Sequence, residues 1–161
     1  MREDYIMRLI EQAATMLASI IACRKADNIP AAQEKIEANC RERIGLPLDM
    51  IRHASPEALT RFLERDGQLR YVDAVMLAEL LMQDAEIAEN AHRLANALRS
   101  REQAYCLLVD SMPVLPLDEA TAYRAKVEAL EIKLREMSSD PYVLQKMAEL
   151  RSALTQGETR V

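Results

Sequence analysis

From Tyr71 to Leu98 apolar residues recur at steps of three and four, through Val72, Val75, Met76, Leu80, Ile87, Ala91, Leu94 and Leu98. That period lines one side of a helix. No stretch of the chain shows sustained alternation at every second residue, the pattern of a half-buried strand. The three glycines stand singly at 45, 67 and 157, and each reads as a helix end. The expectation is an all-α fold with no sheet.

Half of the 161 residues are apolar and 29% are charged, a composition that belongs to helices. Five Tyr, one Phe and no Trp leave the core to Leu, Ile, Ala and nine Met. The chain is long enough to bury a real core. Its organisation reads as a helical-hairpin core over 1–111, a connector at 112–117 and a C-terminal helical hairpin over 118–161 packed on the same domain.

Along the chain, 3–26 reads as a long amphipathic helix whose apolar positions include Ile6, Ile10, Ala13, Met16, Leu17, Ile20 and Ile21. The turn Asp27-Asn28-Ile29-Pro30 leads into a second helix from about Pro30 to Ile44, stopped at Gly45. Residues 46–54 form at most one short helical turn after Pro47. Ser55-Pro56-Glu57 is a start signal that joins a hydroxyl N-cap, a first-turn proline and an acid. The helix it opens ends at Gly67.

Within 71–111 the break lies either around Asp84 to Asn90 or at Ser100, where Ser100 and Gln103 have capping-box form and place a helix start near Arg101. The run Met112-Pro113-Val114-Leu115-Pro116 cannot be helical throughout. Asp118 caps a helix to about Met137, and Asp140-Pro141 starts a last one that Gly157 ends.

Two windows carry a small–large–small pattern on helices: Ala32 and Ile36, with Asn39 in the second small place, and Ala104, Leu108 and Ser111. In this the chain resembles the tetratricopeptide repeat. The midpoint near Gln68 has no matching hairpin, so the array is interrupted or degenerate, and an irregular helical bundle is the other reading. The opening MREDYIMRLIEQ, the RKADNIPAAQEKIE turn and the GLP segment resemble an uncharacterised bacterial family with degenerate tetratricopeptide-like hairpins. That resemblance implies helical hairpins and carries no functional residue over.

Chemistry is sparse. Glu89 and His92 have the Glu-x-x-His spacing of a di-iron half-site, but His53, the only other histidine, has no acid three residues before it. The cysteines form no C-x-x-C pair. Across the first hairpin Cys23 and Cys40 are offset by about seven residues, or roughly 10 Å, too far for a disulfide. Nothing resembles a phosphate loop or a nucleophile elbow. The net charge of −5 gives no concentrated basic surface for nucleic acid, and no apolar run reaches the roughly 20 residues of a membrane helix.

The sequence therefore predicts a non-catalytic, cytoplasmic helical scaffold that binds a protein or peptide, or itself as a homodimer through the broad face of 3–26. No residue is assigned to catalysis, to a cofactor or to a metal, and neither nucleic acid nor membrane is a partner. The alternatives are a metal protein or enzyme using Glu89 and His92, and a regulatory domain that holds a small apolar ligand.

Overall fold

The computed structural model describes the backbone of residues 2–159 and the side chains of 7–8 and 10–153. Among the described residues the fold is all-α: 84% is helical, in eight helices with one tiny two-stranded sheet.

Helix α1 (Arg2–Lys25) turns at Asp27, whose φ of 57° is left-handed. The Asn28 side chain then accepts the Ala31 N–H and caps α2 (Ile29–Asn39), which carries Pro30 in its first turn. The expected continuation to Ile44 exists, but as a wider turn. Over Cys40–Ile44 the coil loosens to a π-helix that closes with the Gly45 N–H on the Cys40 carbonyl at 3.0 Å. Gly45 lies at φ 88°, the left-handed stop that its position implies.

Two short helices follow, α3 (Leu48–His53) and α4 (Pro56–Phe62). Ser55 caps α4 through the Ala58 N–H at 3.2 Å, as its sequence signal predicts. Glu37 of α2 accepts the Leu48 N–H at 3.0 Å, tying the start of α3 back to the first hairpin.

Gly67 does not end α4, and the expectation of no sheet needs correcting here. Phe62 closes the helix, and β1 (Glu64–Arg65) pairs antiparallel with β2 (Gln68–Leu69). Asp66 and Gly67, at φ 56° and 76°, make the two-residue turn between them. Positive φ at both central positions is what an Asp-Gly hairpin turn requires. The strands are two residues long, too short for alternation to register.

Helices α5 (Tyr71–Asn90) and α6 (Leu94–Ser111) form the central hairpin. The chain reverses at His92, again left-handed at φ 60°. A second helix start near Arg101 is absent, because α6 runs unbroken through it. Ser100 is fully buried, and its hydroxyl donates to Asp84 of α5 at 2.7 Å instead of capping a helix. Leu77, Leu80, Leu81, Leu107 and Leu108 fill the interface, each about 1.5–3 kcal/mol of burial.

After a single 3₁₀ turn at Met112–Val114 come α7 (Leu117–Met137) and α8 (Pro141–Thr159). Asp118 sits in the first turn of α7 and is not its cap, since the helix begins after Pro116 with no side-chain cap bond. Asp140 does cap α8, accepting the Tyr142 and Val143 N–H groups. The α8 backbone continues through Gly157 to Thr159, so that glycine is not a stop.

Helices α1 and α2 pack on α5, while α3, α4, α7 and α8 pack on α6. Ala32, Ile36, Ala104, Leu108 and Ser111 are buried at helix contacts. No helix among the described residues is long and apolar enough to cross a membrane.

Candidate functional site

Between α1 and α7 one face of α5 is only partly covered: Met76 and Glu79 are buried there and the residues around them are half-buried. Tyr71, Val72, Val75, Met76 and Glu79, then Met82, Gln83 and Glu86, line a groove along this helix. Their spacing keeps them on one stripe, and from 71 to 86 that stripe runs about 22 Å at the helical rise. One wall is α1, through Ile10, Ala13, Ala14, Met16, Leu17 and Arg24. The other is α7, through Glu119, Tyr123, Lys126, Ala129, Leu130 and Lys133.

The groove has two halves with different chemistry. The half beside Tyr71 encloses about 330 Å³ and is walled mainly by aliphatic side chains, Leu115 among them. The half beside Gln83 encloses about 300 Å³ and sets charged side chains around an apolar strip of Met82, Ala129 and Leu130. Glu79 and Lys126 line both and form an ion pair where the halves meet. The Glu79 side chain is only 8% exposed, so Lys126 supplies the compensation that a buried carboxylate needs. Lys126 also lies 5.1 Å from the centre of the Tyr123 ring. Burial, and then the negative charge of Glu79, push the Tyr123 phenol up, so it stays a neutral donor at physiological pH.

In the charged half, Arg101 is nearly enclosed and pairs with Glu89, with Glu86 3.6 Å away. Lys133 stands 3.7 Å from Glu86. Arg24 donates to the Gln83 amide oxygen at 2.6 Å and has no acid partner among the described residues. This half thus sets four cations, Arg24, Arg101, Lys126 and Lys133, against the carboxylates of Glu79, Glu86 and Glu89.

The residues that the sequence offers for a metal are not brought together as one. Glu89 takes Arg101, whose hydrogen bond and charge hold its carboxyl below the usual range. His92 is exposed at the tip of the α5–α6 turn. Among the described residues no three His, Cys, Asp or Glu side chains converge as a metal site. Cys40 is buried, and desolvation, then Glu37 and Asp84, push its thiol up to about 12. Burial raises Cys106 as well. Both are thiols at neutral pH, and thiols are weak nucleophiles.

The other polar clusters hold helices together. Arg52 of α3 grips Asp84 of α5 at 2.7 and 2.9 Å, and Ser100 of α6 completes the joint. Asp110 of α6 takes Thr60 of α4 at 3.1 Å and Lys146 of α8 at 2.6 Å. Gln103 of α6 donates to the Ile51 and Ala54 carbonyls and so closes the end of α3.

Sequence reasoning found the α1 wall, because Ile10, Ala13, Met16 and Leu17 belong to the broad face of the first helix. It assigned Met76 and Met82 to packing, and Met76 is buried in the core with Met82 packed against it; both also border the groove. It missed Tyr123, Lys126 and Arg24, for which the chain carries no local signal. Comparison with known protein families, with curated proteins and with solved structures finds no significant match for this chain.

Proposed function

We propose that this protein is a non-catalytic helical scaffold that binds another protein by taking one of its helices into the groove between α1, α5 and α7. The observation that carries this reading is the length and shape of the open stripe on α5. It runs about four helical turns, has a helix for each wall, and opens its apolar half to an apolar face of matching length. A helix laid in a groove and anchored by side chains at i, i+4 and i+7 is a recurrent way of recognising a partner. Val114 and Leu117, 51% and 81% exposed, flank the groove-lining Leu115 in sequence and add exposed apolar surface to that segment.

The buried small–large–small positions of α2 and α6 are compatible with tetratricopeptide-like hairpins and with any close helix packing, so the scaffold reading takes its support from the groove. The three cysteines, free and at least half-buried, support a reducing cytoplasmic setting.

The test is a selection of displayed helical peptides on the intact protein, followed by binding to Ala14→Trp and Val75→Glu. Ala14 is exposed and Val75 half-buried, so both variants are expected to fold, with circular dichroism as the check. The reading predicts peptides with an apolar i, i+4, i+7 stripe that lose at least about tenfold in affinity on both variants, some 1.4 kcal/mol. Peptides that bind both variants as well as the parent, or no enriched peptide, would contradict it.

A further inference from the structure

The charged half of the groove says what kind of helix belongs there. A purely apolar partner would lie over Arg24 and bury its charge without compensation, which costs free energy. Glu79, Glu86 and Glu89 already answer three of the four cations in this half. The fourth, Arg24, rests only on the neutral amide of Gln83. This excess positive charge sits in a chain whose net charge is −5. Its sign is thus opposite to that of the molecule as a whole, and it faces into the groove rather than out from a general basic surface.

Resting on the reading of the groove as a helix site, we infer that the partner is an amphipathic helix carrying a carboxylate over Arg24, beyond its apolar anchors. The spacing follows from α5 itself. Val75 marks the middle of the apolar half, and Gln83, which holds Arg24, lies eight residues on, about 12 Å along the axis. An Asp or Glu about two turns from the centre of the apolar stripe reaches the guanidinium, which presents a planar fork of donors suited to a carboxylate. Apolar anchors give the partner its grip, and the Arg24–carboxylate pair fixes its register and direction, the usual division of labour at an interface.

The experiment runs the same peptide selection on the full-length parent and on Arg24→Glu, with Arg24→Gln as a milder variant should the charge reversal disturb folding. The parent is expected to enrich Asp or Glu at the position about 12 Å from the apolar centre. Replacing that acid by its amide should weaken binding roughly fivefold, the size of a partly exposed ion pair. On Arg24→Gln the acid and amide peptides should bind alike, and Arg24→Glu should enrich Lys or Arg at the same place. Apolar peptides with no charge preference there would overturn this inference and leave the groove reading standing. Failure to enrich any groove-directed peptide would remove the groove reading itself. Dodecanoate is the competitor. If it binds the groove more tightly than every selected peptide, the occupant is an acyl carboxylate and the helix assignment falls.

Discussion

Glu79 and Asp84 are two buried carboxylates on the same helix, five residues apart and so about 140° around its axis. Each is met by a cation from another helix, yet their settings differ. Asp84, with its side chain 4% exposed, is held by two bonds from Arg52, itself 16% exposed, and by the Ser100 hydroxyl. That side of α5 is closed over by α3 and α6. Glu79 is nearly as deep, but its partner Lys126 is 46% exposed and lines the groove between α1 and α7. The same residue type therefore locks helices together on one face of α5 and lines an open surface on the other. Burial of the acid alone does not separate the two settings; enclosure of its cation does.

The largest expected effect breaks the closed side. Asp84→Ala leaves Arg52 buried without its carboxylate and should cost about 3–5 kcal/mol in urea denaturation. Glu79→Gln leaves a lysine that can swing into water, and should cost about 1 kcal/mol or less. Equal losses would erase the distinction between the two faces.

A smaller effect sharpens it. Cys40 lies on the closed side, and its thiol is raised by burial first and then by Glu37 and Asp84. A group that holds its proton more tightly in the folded chain contributes stability fully below its unfolded pKa. That contribution is lost as pH rises towards the folded value. Cys40 should therefore lower the unfolding free energy between about pH 9 and about 12, a slope reduced in Cys40→Ala. In native protein at pH 8 Cys23, half-buried on α1, should alkylate first, with Cys40 and Cys106 protected until unfolding. Rapid alkylation of Cys40 would show that the closed side opens.

Local chemistry made much of the fold legible. The Asn28–Pro30 turn, Ser55-Pro56 and Asp140-Pro141 all act through neighbours within three residues, and each starts a helix where its pattern places it. Ser100 misled because its decisive partner, Asp84, lies 16 residues away across the hairpin. Gly67 misled because a helix stop and an Asp-Gly hairpin turn both demand positive φ. The groove was half legible. Periodicity marks Val72, Val75 and Met76 as facing something, but it does not tell a covered stripe from an open one. That depends on how α1 and α7 are set apart on α5, a long-range outcome with no local signature.

The most direct test of the central claim is methyl-detected NMR of the intact protein titrated with the tightest selected helical peptide. The account predicts shifts at Leu17, Val72, Val75 and Met76 along the open stripe, and none at Ile51, Leu59 or Leu107 in the closed core. Shifts confined to other surfaces, with the α5 stripe unmoved, would contradict it.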